Sequence, residues 1–253
     1  VRWAEDPLSG SHPVRDHTST VRCSPLEIKE CWQKHYTDLL EDPFPREARE
    51  DEYREAWTRR YGARTQLPML QEVNDDITEE DLKVALQRMR RKKAPGEDGI
   101  PADILRLANV APNNPYMRAL VRVVNAVWSG GCIPTEWQSS ILVSIPKAGG
   151  DPSEMKDYRG ISIMGSVMKL LMTVISNRIY ESAERGRLLS PTQAGFRFRE
   201  EAPAQVACLH EVATRRQARG LATYAAFVDF RAAYDTVPHE LLFRKLEMLG
   251  YHE

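Results

Sequence analysis

The sequence contains few of the features that mark secreted, membrane-bound or disulfide-rich proteins. Only four cysteines occur among 253 residues, and they are widely spaced without a Cys-x-x-Cys pair. This pattern is typical of reduced intracellular thiols. No apolar run approaches the length of a membrane span, and the N-terminus lacks the basic and then apolar order of a signal peptide. The sequence therefore predicts an intracellular globular protein.

A zinc site is the alternative interpretation of Cys23, Cys31 and His35. A structural zinc ion takes four protein ligands, and the sequence around these three residues offers no credible fourth one. The thiols are therefore expected to be unliganded.

A strong positive charge, the usual sign of a nucleic-acid-binding domain, is also lacking, because 35 basic residues face 36 acidic ones. The two signs are segregated along the chain. Residues 41–55 are rich in acids, whereas residues 88–93 form a dense basic run. Any nucleic-acid contact is therefore expected to be local. The alternative for the basic run is a set of cations at a helix C-terminus, which the helix dipole favours.

Helical periodicity and capping residues predict an α+β fold that is helix-rich at first. The composition of residues 1–21, which lacks any periodicity, predicts a loose leader. The acidic and weakly patterned residues 43–76 are predicted to form a linker with one short helix. Helices are predicted after the capping boxes at Ser24 and Thr78, after Pro101, and over residues 114–130, 166–183, 204–219 and 238–249. Residues 141–145 and 157–163 predict two strands joined by a Gly-rich turn.

Residues 223–228 are mostly apolar and predict a buried strand that ends at Asp229. A buried carboxylate is costly unless it is neutralised, pairs with a cation or binds a metal. Tyr234 follows just beyond the strand end, where ligands of open α/β sheets bind. The pattern therefore favours a metal-binding Asp229. The alternative is a strand-end aspartate that caps the next helix.

Lys147 and Arg159 stand at the ends of the two short strands of the predicted hairpin. Two cations there can converge on one anion such as a phosphate chain, and an arginine can bind two oxygens at once. The alternative is a pair of exposed cations on a loop. Two further segments, residues 93–101 and 190–197, predict a tight double turn and a loop when propensity alone is considered.

These segments resemble, in the same order, sequence blocks of the reverse transcriptases of non-LTR (LINE-like) retrotransposons. The blocks are KAPGEDGIP at 93–101, IPK and YRGIS in the hairpin, QAGFR at 193–197 and FVDFRAAYD at 227–235. They cover the chain from about Ile77 onward. The resemblance implies a helical N-terminal extension, a fingers hairpin and the first part of a right-hand polymerase palm, truncated before the second catalytic motif. The implied segments are 1–76 (leader and helical linker), 77–138 (N-terminal extension of the polymerase), 139–203 (fingers) and 204–253 (start of the palm).

The activity that the resemblance implies is RNA-directed DNA synthesis. A primer 3′-hydroxyl attacks a deoxynucleoside triphosphate with the help of two Mg²⁺ ions, or Mn²⁺, which prefer oxygen ligands. By resemblance, Asp229 is the catalytic metal ligand, with the carbonyl of Phe230 as a second ligand. Nucleotide binding is implied for Lys147, Arg159, Ala232, Ala233 and Tyr234, the ring of Tyr234 blocking a ribose 2′-hydroxyl.

Contacts with the RNA template and the DNA primer are implied for a further set of residues: Lys93, Gly96, Asp98, Gly99, Gln193, Gly195, Phe196 and Arg197. The aromatic-x-Asp-Asp turn of the family's second acidic motif does not occur in this sequence. The C-terminal palm and the thumb are missing as well. We therefore expect this fragment not to polymerise by itself. The resemblance also implies a nuclear or cytoplasmic location without a membrane.

Three alternatives to this function are open. The first is a decayed or domesticated relic that contacts nucleic acid without catalysis. The second is an intron-maturase or retron-like polymerase. The third is an unrelated helical scaffold. The KAPGEDGIP block favours the LINE type over the second alternative. The third requires that the ordered blocks occur by coincidence.

Overall fold

The computed structural model of the chain describes residues 2–3, 12–41, 55, 59, 70–111, 114–230 and 232–251. The strands are β1 (Arg2–Trp3), β2 (Val14–Arg15), β3 (Val21–Arg22), β4 (Ser140–Pro146) and β5 (Tyr158–Met164). The helices are α1 (Pro25–Leu40), α2 (Gln71–Asn74), α3 (Glu79–Arg88), α4 (Ala102–Leu105), α5 (Pro115–Gly130), α6 (Ser166–Arg185), α7 (Ala202–Ala218) and α8 (His239–Met248). Short 3₁₀ turns lie at Arg106–Asn109, Thr135–Trp137 and Met155–Asp157. This mixture of helices and small sheets confirms the α+β class. None of the described helices is long and apolar enough to cross a membrane.

The main apolar core lies between α3, α4, α5 and α6. Its members follow the helical spacing that the sequence predicts, so that each helix turns one apolar stripe inward. The most deeply buried side chains include Leu82, Leu86, Val124, Leu170 and Val174.

The start of α3 confirms the predicted capping box. The Thr78 hydroxyl accepts the N–H of Asp81 at 3.2 Å, and the Asp81 carboxylate accepts the N–H of Thr78 at 2.9 Å. Arg178 of α6 adds a long-range contact to this cap, because its guanidinium donates to Asp81 at 2.8 Å and to the carbonyl of Asp76 at 2.8 Å. The cap therefore fixes α3 against α6.

A second apolar cluster joins the N-terminal residues to the β4–β5 hairpin. Its buried members are Val14, Ile28, Trp32, Tyr36 and Leu142. The expectation of a loose leader is wrong for residues 12–21, because β2 and β3 pair antiparallel and Val14 is buried. The capping box predicted at the start of α1 is also wrong, since the helix begins after Ser24 but the Ser24 side chain makes no capping hydrogen bond.

The predicted acidic linker at 43–76 lies largely outside the described residues. Within it, α2 is a short helix of four residues. Of the basic run at 88–93, Arg88 lies in the last turn of α3, and residues 90–93 lie beyond the end of the helix.

The strand predicted to end at Asp229 is not formed, and this prediction is wrong. Residues 221–230 belong to neither helix nor strand, and Asp229 is exposed. The side chains of Phe227 and Val228 are 86% and 78% exposed. A strand needs a neighbour that takes up its backbone N–H and C=O groups, and in the part of the chain described here no strand pairs with this segment. The apolar pattern of this segment does not indicate whether such a neighbouring strand exists.

The two helices on either side of this segment differ in how they are held. Helix α7 forms near its predicted bounds, yet none of its residues is buried. Helix α8 is followed by the buried Tyr251, whose hydroxyl lies 2.6 Å from the Ser182 hydroxyl and donates to the carbonyl of Ile179 at 3.1 Å. The C-terminal helix is thus fixed to α6.

Candidate functional site

The β4–β5 hairpin carries the two predicted cations on one face. The strands pair antiparallel with Ile145 opposite Arg159, and the N–H of Lys147 donates to the carbonyl of Asp157 at 2.7 Å. Because side chains alternate between the two faces of a strand, this register puts Lys147 and Arg159 on the same face. They are diagonal neighbours, which in antiparallel pairs lie roughly 7–8 Å apart. Both residues are exposed.

The opposite face of the hairpin is covered by α1. The Tyr36 hydroxyl donates to the Ser144 hydroxyl at 3.0 Å, and the Trp32 ring meets the Tyr158 ring edge-on with centroids 4.9 Å apart. Since one face is occupied by α1, the face with Lys147 and Arg159 is the open one.

The hairpin tip is shaped by Gly149, whose φ of 76° lies in the left-handed region. The Lys147 ammonium donates to the carbonyl of Lys156 at 2.6 Å, and the Asp157 carboxylate accepts the N–H of Asp151 at 3.0 Å. Hydrogen bonds to backbone groups of the tip therefore fix the orientation of the Lys147 and Asp157 side chains. The open face combines the exposed Arg159 with Lys147, whose ammonium is bound at the tip by the Lys156 carbonyl, and with a carboxylate that already accepts a hydrogen bond. These cations can receive an anion.

The loop at 93–101 packs against the base of this hairpin, where β5 passes into α6. Gly96 is buried there, and a Cβ atom at Gly96 would lie 2.6 Å from the backbone nitrogen of Gly165. The Ser166 hydroxyl donates to the carbonyl of Ile100 at 2.6 Å. Of the residues predicted to contact template or primer, Lys93, Asp98 and Gly99 are exposed, whereas Gly96 is enclosed by protein.

The loop at 190–197 is held to the end of α6 by Arg197. Its guanidinium binds both carboxylate oxygens of Glu184, at 2.8 and 2.6 Å. This hydrogen-bonded pairing holds the pKa of Glu184 below its ordinary value. Gln193 donates to the carbonyl of Gly195 at 3.2 Å, and Phe196 is 90% exposed. Phe196 is therefore exposed to solvent on a loop that the Arg197–Glu184 pair holds against α6.

Tyr234 and Asp235 come near the loop at 190–197 and helix α1, respectively. The Tyr234 ring meets the Phe196 ring edge-on, with centroids 6.1 Å apart. Burial raises the pKa of the Tyr36 hydroxyl, the hydrogen bond to Ser144 lowers it, and the negative charge of Asp235 raises it further. Asp235 therefore lies within electrostatic reach of Tyr36.

The chemistry of Asp229 and the Phe230 carbonyl suits a hard divalent ion, because both offer oxygen donors. The donor set is nevertheless incomplete. Among the described residues no three His, Cys, Asp or Glu side chains are grouped so as to hold a metal ion. Ala232 is half-buried with a φ of 47°, and Ala233 is exposed. The described residues thus bring Lys147 together with Arg159, and Phe196 together with Tyr234, but they do not assemble a metal site.

Sequence reasoning missed the part that α1 plays at this site. Trp32 and Tyr36 were identifiable only as apolar positions of an amphipathic helix. Their spacing of four residues puts both rings on one helix face, and this was the available signal. The partner of that face, the hairpin more than a hundred residues later, was not indicated by any local pattern.

Comparison with known proteins gives consistent results. Residues 145–253 match the family described as "Reverse transcriptase (RNA-dependent DNA polymerase)". The chain is 30% identical over 175 residues to the RNA-directed DNA polymerase from mobile element jockey of Drosophila funebris, a match that covers 69% of this chain and 19% of the relative. The jockey polymerase of Drosophila melanogaster is 28% identical over 173 residues, with 68% and 18% covered.

A third relative is the Retrovirus-related Pol polyprotein from type-1 retrotransposable element R2 of Popillia japonica. It is 26% identical over 177 residues, with 70% of this chain and 23% of the relative covered. The chain therefore spans about a fifth of the length of the curated relatives that it matches.

Proposed function

Since this chain is a relative of the reverse transcriptases of non-LTR retrotransposons, we propose that it supplies the fingers and the beginning of the palm of an RNA-directed DNA polymerase. Residues 139–203 are the fingers in this proposal, and residues 204–253 begin the palm. The helical residues 77–138 form the N-terminal extension of the polymerase, behind the leader and helical linker at 1–76. The substrates are deoxynucleoside triphosphates, with an RNA template and a DNA primer as partners.

The incoming triphosphate binds on the open face of the hairpin, between Lys147 and Arg159. The observation that carries this proposal is the strand register, which gives both cations the same exposed face. A planar guanidinium recognises two phosphate oxygens at once, and an ammonium adds a point charge. In the nucleotidyl-transfer step these residues bind and orient the phosphates for attack by the primer 3′-hydroxyl.

Asp229 and the carbonyl of Phe230 supply part of the ligand set for the two Mg²⁺ (or Mn²⁺) ions. Such ions lower the charge on the phosphates and orient the reacting oxygens. Because the described donor set is incomplete and residues 221–230 form no strand, we expect the 253-residue chain to show no polymerase activity by itself.

Tyr234 limits the space next to the nucleotide sugar, with Ala232 and Ala233 beneath it. The contact between the Tyr234 and Phe196 rings supports a common nucleotide and primer surface. Lys93, Asp98, Gly99, Gln193 and Gly195 belong to the template and primer path in this proposal. Gly96 and Arg197 belong to it indirectly, because both are engaged within the protein.

The second candidate function is a relic that contacts nucleic acid without catalysis. The exposed position of Asp229 is the observation that favours it. Nucleotide binding by the hairpin distinguishes the two, because the relic needs no triphosphate site.

Replacing Arg159 with alanine is expected to weaken the binding of a deoxynucleoside triphosphate about tenfold to a hundredfold, the usual effect of removing a charge-assisted hydrogen bond. Calorimetric titration of deoxythymidine triphosphate with Mg²⁺ into the 253-residue chain measures this. Lys147→Ala is expected to weaken binding as well, by a smaller factor.

The matched control is Arg122→Ala, which removes an exposed cation from α5 and leaves the net charge equal to that of Arg159→Ala. The control is expected to bind with the affinity of the parent chain. Equal affinities of the Arg159→Ala and Arg122→Ala variants would contradict the assignment of the hairpin.

A further inference from the structure

Helix α1 holds both chain neighbours of Arg159. On one side, Tyr158 meets the ring of Trp32 with centroids 4.9 Å apart. On the other side, Gly160 lies against Tyr36, so closely that a Cβ atom at Gly160 would come within 2.7 Å of the Tyr36 ring carbon Cε1. Such a separation is well below ordinary van der Waals contact. The backbone of Arg159 is therefore bracketed by two aromatic side chains of α1.

Helix α1 also contacts strand β4, and strand β2, which precedes α1, contacts the tip of the hairpin. Tyr36 is only 3% exposed, and its hydroxyl donates to Ser144 of β4 at 3.0 Å. Arg15 of β2 binds the tip, since its N–H donates to the carbonyl of Ser153 at 2.8 Å and its side chain pairs with Glu154 at 3.3 Å. Residues 12–40 thus hold the covered face of the hairpin at its strands and at its tip.

Two-stranded hairpins are only marginally stable without a surface to pack on. In β4–β5 that surface is α1, because Leu142 of the hairpin is buried in the same cluster as Trp32 and Tyr36. A rigid covered face fixes the position of the side chains on the open face, since the two faces share one backbone. Preorganisation of this kind raises affinity by reducing the ordering that a ligand must impose.

We propose that α1 positions the triphosphate-binding face of the hairpin, with Tyr36 as the positioning residue that acts through Gly160 on Arg159. The inference rests on the proposed function of Arg159. It assigns a role in nucleotide binding to residues that touch no substrate and lie far from Arg159 in the sequence.

The test is a double-mutant cycle between Gly160 and Arg159, with the affinity of the 253-residue chain for deoxythymidine triphosphate and Mg²⁺ as the readout. Gly160→Ala alone is expected to weaken binding about tenfold, because the added methyl group pushes β5 away from Tyr36. In the Arg159→Ala background the same substitution is expected to have no further effect. A general loss of structure would weaken binding by the same factor in both backgrounds.

Tyr36→Phe provides a second variant that keeps the ring and removes the hydroxyl that donates to Ser144. It is expected to weaken binding about fivefold, and again only when Arg159 is present. Gly130→Ala is the control, since a Cβ atom there would meet nothing within 4 Å. Urea unfolding of each variant shows which of them fold, and the cycle is run with Tyr36→Phe if Gly160→Ala does not.

The outcomes separate the two proposals. Unchanged affinity in Arg159→Ala overturns the proposed function and this inference together. Weak binding in Arg159→Ala, combined with parental affinity in Tyr36→Phe and Gly160→Ala, overturns the inference alone. Equal losses in both Arg159 backgrounds overturn it as well, because they show a structural effect without positioning.

Discussion

Gly96→Ala is expected to lower the free energy of unfolding by about 3 kcal/mol or more, an effect at the upper end for added volume in a packed site. The new Cβ atom would lie 2.6 Å from the nitrogen of Gly165 and 2.7 Å from the carbonyl carbon of Met164. Both are backbone atoms at the junction of β5 and α6, so that no side-chain rotation can relieve the overlap. The loop at 93–101 and the hairpin must then separate.

Gly99→Ala is the matched control three residues away. Gly99 has a φ of 66°, and a Cβ atom there would meet nothing within 4 Å, so that only the backbone conformation opposes alanine. The expected cost is about 1 kcal/mol. Urea unfolding followed by circular dichroism compares the two variants. A loss in Gly96→Ala no greater than that in Gly99→Ala would show that the loop does not pack on the hairpin base as described.

Asp229→Ala is expected to reduce DNA synthesis by about a thousandfold or more, because the proposed metal site then loses an anionic oxygen ligand. The measurement is Mg²⁺-dependent primer extension on an RNA template. It uses residues 1–253 joined in frame to the following part of the Drosophila funebris jockey polymerase, a relative at 30% identity.

Asp235→Asn in the same chimaera is the control for this prediction. The charge of Asp235 acts on the Tyr36 hydroxyl and Asp235 is not one of the proposed metal ligands, so that its neutral isostere is expected to retain most of the activity. The unsubstituted chimaera establishes the reference rate. Full activity in Asp229→Ala would exclude the metal-binding role of this residue.

Several features specified by neighbouring residues were predictable from the sequence, although the equally local capping box at Ser24 did not form. The capping box at Thr78 depends on a partner three residues away, and the end of α5 depends on Gly131, whose φ of 61° ends the helix in the left-handed conformation. The hairpin formed because its Gly-rich turn fixes which residues of the two arms pair. The common face of Lys147 and Arg159 follows from that pairing.

Features that depend on distant residues were not predictable. Tyr36 bonds to a serine 108 residues later, and Arg178 contacts the carbonyl of Val73 from 105 residues away. The segment before Asp229 shows the same limitation, because the strand predicted there did not form. Its apolar residues indicate burial, but a strand exists only when a second strand lies beside it, and residue pattern within one segment carries no information about that second strand.

Cleavage of the backbone by a bound ion tests the central claim, that Asp229 and the hairpin cations serve one metal–triphosphate site. Fe²⁺ replaces Mg²⁺, peroxide is added to the chain with and without deoxythymidine triphosphate, and mass spectrometry locates the cuts. We predict cuts beside Asp229 and between Lys147 and Arg159 that require the triphosphate and disappear in Asp229→Ala. Cuts confined to the acid-rich residues 41–55, unchanged in Asp229→Ala, would contradict the account.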